Sequence, residues 1–439
     1  MDRKGVGTFV NTEAELTSSS LDIFSLPPVD VVMKEGKTVY YHPLNNITEN
    51  GPYEFVVPKD PESWTALPLT RLEGEIVYSR VDNAEIAATE NLGIVNLLPQ
   101  ALFKQIECEL NGVQVCDLSS ATYPWKAYIE THLTYGYEAK TTHLLNSLYY
   151  KDTELKEDKA DGGNAAAKNR LAKFQEKKFN FSIVLHSDFF HSQKYLLPNT
   201  EIKLKLIRSS NDFIFIAAEG SAGKYKMDFK NLKLAMRRIK IDPFALGGIE
   251  HKLKTQEANY DITQSKIKTI NIPSGTKSID FQAIYQGNLP RSIIFGILSN
   301  KSFNGTIDSN PFHFFHHNVN YFNLKINGSP VVPTPFTPDF EGGNYAREYR
   351  HFFDNLGMFH ENETNWITKT EFMNNSCFWP FDLTPCPCNG FHNHEVKRGC
   401  LDLTLGFKTN IAETLYLFVY ASFNSVIQID SLRNITVLE

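Results

Sequence analysis

Apolar and polar residues alternate with a period of two through much of the chain, the pattern of half-buried β-strands. EIKLKLIR (201–208) sets Ile202, Leu204 and Leu206 against Lys203 and Lys205. FNFSIVL (179–185), LKLAMRRIKI (232–241), CLDLTLGF (400–407) and TLYLFVYASF (414–423) are similarly rich in residues that favour sheets. Two stretches repeat one sequence of elements. Ile106, Cys108 and Leu110 alternate into Asn111-Gly112, and Phe322, Leu324 and Ile326 alternate into Asn327-Gly328. Asn-Gly accepts the positive φ values of a type I′ turn, so each predicts a tight hairpin. A loop and an aromatic helix follow each hairpin: Trp125 to Tyr135 in the first copy and Tyr345 to Phe353 in the second. The period spans about half the chain and occurs twice, which predicts a duplicated β-rich domain and not a solenoid.

Taken in order, residues 1–25 are polar and aperiodic and read as an arm. The first domain covers 26–241. Within it, Val31 to Tyr41 forms a hairpin pattern about Glu35-Gly36, and strands at Glu54–Val57 and Thr70–Ser79 are parted by the proline-rich PKDPESWTALPL. Residues 151–178 hold 14 charged residues in 28 and predict a solvated surface insertion. Residues 242–265, with Gly247-Gly248 and little periodicity, predict the connection, and 266–439 the second domain. Short strands at regular spacing between turn signals predict sandwiches or barrels, and a half of this size suits an eight-stranded jelly roll. The fold expected is all-β: two tandem antiparallel β-sandwiches, with a few short helices in loops.

Composition narrows the function. The 439 residues include 32 Phe and 19 Tyr against 6 Met, and 42% are hydrophobic, as suits aromatic-packed sheets. The formal net charge of −6 gives no global basic field for nucleic acid. No apolar run is long enough for a membrane-spanning helix, and the N-terminus lacks the apolar core of a signal peptide. Six cysteines without such a signal predict reduced thiols.

Six blocks, in order, resemble one family. They are SLDIFSLPP; ELNG, YPWKAYIETHLTYG and SLYYKD; QKYLLPNTEIKLKLIRS; LPRSIIFGILSNKSFNG with NPFHF; PDFEGGNYAREY; and VYASFNSVIQID. Together they are similar to the major capsid proteins of Polinton (Maverick) elements and adintoviruses, from about residue 20 to the C-terminus. The resemblance implies a double jelly roll that forms homotrimers with a pseudo-hexagonal outline, which tile an icosahedral virion. It also implies neighbouring capsomers, a minor penton-type capsid protein and packaged double-stranded DNA as partners. It implies no enzymatic activity and no cofactor. The alternatives from the residues are a minor capsid protein and a carbohydrate- or metal-binding β-sandwich.

The candidate chemistry is sparse. Cys386, Cys388, His392, His394 and Cys400 offer ligands of the kind zinc prefers, in a stretch that departs from the family pattern. Cys-x-Cys is tighter than the usual zinc spacing, and a Cys/His-bearing surface loop accounts for it better. A cupin-type metal site needs a spacer between His394 and its glutamate, whereas Glu395 follows directly. His313, His316 and His317 alternate with phenylalanines and read as packed side chains. Asp339 and Glu341 in PDFEGG are too few for a calcium loop and predict a turn. Lys224, Lys226, Lys230, Lys233, Arg237, Arg238 and Lys240 form a basic stretch with one acid, Asp228, which reads as a solvated strand face or a contact to phosphates. No phosphate-binding glycine loop and no hydrolase motif is present, so no catalytic residue is expected.

Overall fold

The computed structural model describes residues 30–48, 51–86, 90–116, 121–152, 165–358, 361–385 and 394–438. The first half contributes ten strands: β1 (Met33–Tyr41), β2 (Tyr53–Val57), β3 (Ser63–Arg80), β4 (Gly93–Ile94), β5 (Phe103–Leu110), β6 (Val113–Gln114), β7 (Lys178–Ile183), β8 (Ile202–Arg208), β9 (Phe215–Ile216) and β10 (Tyr225–Ile241). The second contributes β11 (Ala258–Ile272), β12 (Ser278–Asn288), β13 (Ser292–Ser299), β14 (Val319–Ile326), β15 (Ser329–Pro330), β16 (Trp379–Asp382), β17 (Arg398–Phe407), β18 (Leu415–Ile429) and β19 (Ile435–Leu438).

The pairing order shows the duplication. In the first half the sheets run β1-β10-β3-β7 and β2-β8-β5-β6; in the second they run β11-β18-β13-β16 and β12-β17-β14-β15. Matching β1 to β11, β2 to β12, β3 to β13, β5 to β14, β6 to β15, β7 to β16, β8 to β17 and β10 to β18 superimposes one order on the other. Every pair in these sheets is antiparallel. Each half is an eight-stranded jelly roll. β19 extends one sheet beside β18, and β4 with β9 forms a small extra pair.

The two Asn-Gly turns are equivalent down to individual atoms. Asn111 and Asn327 have φ of 47° and 51°, and their glycines 85° and 79°, as a type I′ turn requires. Asn111 donates its N–H to the Glu201 carbonyl and accepts the Glu201 N–H on Oδ1 at 2.9 Å. Asn327 does the same with Cys400, at 2.8 Å through Oδ1. The aromatic helices, Tyr123–Thr134 and Ala346–Asn355, each lie between the short hairpin strand and the next strand of their roll, β7 or β16. They occupy matching places.

Several local expectations fail for physical reasons. β1 is one strand paired to β10, and Glu35-Gly36 sits at a register shift inside it instead of at a hairpin turn. β3 takes in SWTALPL despite Pro68. Residues 67–70 leave the ladder between the Ala66–Arg237 and Arg71–Ala235 pairs, and β7 reaches only Leu72 to Val77, so the missing N–H costs no bond. The stretch 242–265 holds a helix, Pro243–Leu253, capped by the Asp242 carboxylate, and then the first part of β11. Its strand pattern is hidden because Gln264 and Ser265 are buried although polar.

The charged stretch 151–178 is described except for 153–164; Lys173, Glu176, Lys177 and Lys178 are exposed, whereas Asp152 and Arg170 are buried. Arg170, on the Ala165–Leu171 helix, is fully buried and donates to the Ile94 and Tyr150 carbonyls and, at 2.7 Å, to Asp152. Breaking one partner of a buried ion pair strands the other charge. Asp152→Ala should therefore cost about 3–5 kcal/mol in a denaturant titration. The joint change to Arg170→Met and Asp152→Leu should recover most of that loss. A single variant within 1 kcal/mol of the parent would contradict this account.

Candidate functional site

The helix Tyr123–Thr134 lies in the seam between the two rolls, and nine of its 12 residues are buried. Trp125, Tyr128, Ile129 and His132 recur at helical spacing and share one face. The Trp125 indole N–H donates to the Pro311 carbonyl at 2.8 Å. Its ring stacks on Phe303 (5.3 Å) and meets Phe213 edge-on (5.2 Å). Tyr128 lies parallel to Phe312, with centroids 4.6 Å apart. His132 stacks on Tyr128 and bridges the Tyr149 hydroxyl (2.8 Å) to Ser376 Oγ of the second roll (2.9 Å). Aromatic faces paired in this way add specific attraction to the area they bury.

A polar cluster lies on the adjoining face of the same helix. Lys126 Nζ binds Asp188 at 2.6 Å, and Glu130 Oε2 binds His186 Nδ1 at 2.7 Å. Second-roll residues complete it. Tyr420 on β18 donates to Glu130 Oε1 at 3.0 Å, and Asp188 accepts the Ser265 N–H on β11 at 2.9 Å. Burial alone would raise the Glu130 carboxyl, but Lys126 and the bond to His186 outweigh it and hold the group down at about 2. Burial pushes the Tyr420 hydroxyl well up. Glu130, His186, Asp188, His191 and Tyr420 line an open cleft of about 520 Å³.

A second polar group closes the seam elsewhere. Lys151 Nζ binds Glu371 at 2.8 Å and lies over the Trp366 ring at 4.0 Å. Glu371 also completes the capping box with Thr368 that starts the Lys369–Asn374 helix. Lys140 donates to the carbonyls of His132 (2.7 Å) and Asn365 (2.6 Å), and burial with the nearby Lys151 charge lowers it to about 7. Asn375 Nδ2 donates to the Asp152 carbonyl at 2.7 Å. This arrangement holds the two sandwiches together; among the described residues it offers no nucleophile with a base beside an oxyanion hole.

The residues singled out from the sequence are scattered. Cys386, Cys388 and His392 lie outside the described residues. His394 lines a separate cleft of about 380 Å³ with Lys266, Lys268 and Arg291. Cys400 Sγ contacts Asp402 Oδ1 at 3.3 Å. His316 packs on Phe340 at 4.3 Å and accepts the Asn318 N–H at 2.9 Å. Burial lowers His316 to about 4 and His317 to about 3. Asp339 and Glu341 hold the Lys408 ammonium, at 3.4 and 2.6 Å, so the turn is closed by a salt bridge. In the basic stretch Lys226, Lys233, Arg238 and Lys240 face Asp228, Glu73, Asp60 and Glu62. The Glu130, His186, Asp188 and His191 cluster has one trace in sequence, the polar spacing of HSDFFH (186–191) inside an apolar segment.

No family model matches the chain. A Caenorhabditis elegans protein described as uncharacterized protein F54H12.2 is 21% identical over 426 residues, covering 93% of this chain and 98% of its own. Among solved structures, a chain of the Sputnik virophage aligns with a TM-score of 0.64 at 12% identity, covering 97% of this chain and 92% of that one. The Faustovirus major capsid protein aligns with a TM-score of 0.59 at 9% identity, covering 94% and 92%. At these identities the likeness establishes the fold, and it extends across both jelly rolls.

Proposed function

We propose that this chain is a major capsid protein, the building block of an icosahedral virion of a Polinton- or adintovirus-like element. The observation that carries this reading is the welding of two complete jelly rolls into one block through an aromatic helix. The likeness to the Faustovirus major capsid protein over both rolls supports it. A relative spanning nearly the whole chain in a nematode suits an element carried in animal genomes.

The internal seam suggests how a trimer closes. In the first roll the Tyr123–Thr134 helix and the segment after β7 meet β11 and β18 of the second. If three chains share a pseudo-six-fold arrangement, the same contact recurs between subunits. The Ala346–Asn355 helix of one chain then meets β1 and β10 of the next. Both surfaces are open in the single chain: only Glu348 and Phe352 of that helix are buried, and Met33 and Tyr40 on β1 are exposed. A stable trimer needs on the order of 800 Å² from each partner at such an interface.

Neighbouring capsomers and a penton-type minor capsid protein are the further partners in this reading. Packaged duplex DNA is a further partner in this reading; four basic residues of β10 already face acids, so its contact is weak, salt-sensitive and confined to the part of β10 that the trimer leaves open. The shell forms in the host nucleus or cytoplasm.

Light scattering with negative-stain images of the same peak tests the capsomer. Three chains of 50.0 kDa make 150.0 kDa, and a hexagonal outline is expected at that mass. Tyr40→Asp should shift the population toward monomer. A parent protein that stays at 50.0 kDa when concentrated removes the trimer from the mechanism.

A further inference from the structure

The geometry points to a divalent transition-metal site, suited to zinc, formed by Glu130, His186 and His191 at the seam between the rolls. One ligand atom from each residue lies within 4.8 Å of the other two. Two imidazoles and a carboxylate with an open fourth position is a donor set zinc accepts. A tetrahedral ion with bonds of about 2.0–2.1 Å places its donors roughly 3.4 Å apart, so the cluster needs only a modest contraction. Glu130 Oε2 and His186 Nδ1 now share a 2.7 Å hydrogen bond, which the ion would replace as that pair opens slightly, and the two imidazole rings meet edge-on with centroids at 6.0 Å. His191 is exposed, so its ring can turn to supply the third bond.

The surroundings suit an ion. Glu130 is oriented through its other oxygen by the Tyr420 hydroxyl, and His186 Nε2 faces Thr131 Oγ1 at 3.3 Å. Such outer contacts fix ligand orientation at metal sites. The cleft beside the three residues leaves room for a water as fourth ligand. Lys126 is the opposing charge, 3.8 Å from Glu130, but its closer partner is Asp188 at 2.6 Å. An ion here would tie the seam helix to the segment after β7, at the point where both meet β11 and β18.

The test is a Co²⁺ titration of tag-free, chelator-stripped full-length protein, followed by visible d–d absorption and thermal unfolding. We expect one Co²⁺ per chain, displaceable by Zn²⁺, without sulfur charge-transfer absorption, and a Tm that rises with metal concentration. His191→Ala, a surface change that leaves the fold intact, should weaken binding by more than about 100-fold, beyond what outer-contact changes cost. Glu130→Gln, which keeps an oxygen for Tyr420, should do the same. The Cys386→Ser and Cys388→Ser double variant should bind as the parent does. Absence of Co²⁺ binding, unchanged binding in His191→Ala, or loss in the cysteine variant would each overturn the proposal. Because the readouts are stoichiometry and spectrum, they stand whether or not the protein assembles as a capsomer.

Discussion

Replacing Trp125 by alanine is expected to destabilise the chain by about 3–5 kcal/mol, the range for deleting a large buried aromatic. The side chain is 5% exposed and touches both rolls: Phe213 on one side, Phe303 and the Pro311 carbonyl on the other. The loss therefore falls on the joint as well as on a core. Two jelly rolls that unfold together in the parent should separate into two thermal transitions in Trp125→Ala. Phe55→Ala, in the core of the first roll, should cost a similar amount without that separation. Trp125→Phe keeps a ring but leaves the Pro311 carbonyl without its indole donor, for about 1–3 kcal/mol. Calorimetry of the four proteins decides the matter. A Trp125→Ala protein that melts as one transition within 1 kcal/mol of the parent would show that the seam is held by other contacts.

The all-β duplicated fold was legible because its signals are local. Ile202, Leu204 and Leu206 are buried as their alternation requires, and both Asn-Gly turns adopt positive φ. What escaped depends on partners distant in sequence. The first part of β11 reads as loop because Gln264 and Ser265 are polar, yet Ser265 is buried against Asp188, 77 residues away. Lys151 and Arg170 read as solvated, yet each meets a carboxylate in the interior. Pro68 breaks a strand pattern on paper but lies where the ladder has already opened. The metal-type cluster joins a helix to a segment 56 residues further on, and neither stretch carries a recognisable ligand spacing of its own. A pattern of period two reports which face is buried; it carries no information about what lies across a seam.

Acid should loosen this protein well before its carboxylates protonate. Burial lowers His316 to about 4, His317 to about 3 and His351 to about 4, against an ordinary value of 6.5. Below pH 6.5 the unfolded chain takes up protons that the folded chain refuses, so stability falls as pH falls, until each folded value is passed. At pH 5 each of the three would cost up to about 2 kcal/mol, and with partial solvent access we expect about 4 kcal/mol in total. His132, also lowered by burial, acts in the same direction. Glu130, held at about 2, has the usual carboxylate sign: its contribution is intact above pH 4.5 and is lost progressively as pH falls from 4.5 to 2. On the alkaline side Lys140, lowered to about 7, disfavours folding less as pH rises from 7 toward 10.5. Tyr225 and Tyr260, raised to about 12 chiefly by burial, reverse the trend above pH 10, where the unfolded chain ionises first. Stability should therefore peak between pH 8 and 10 and drop steeply from pH 6.5 to 4. Thermal unfolding across pH 4–10 checks the curve, and His317→Gln should flatten its acid limb. A Tm that is constant from pH 7 to 5, or highest at pH 5, would refute the assignment of these histidines as neutral, buried groups.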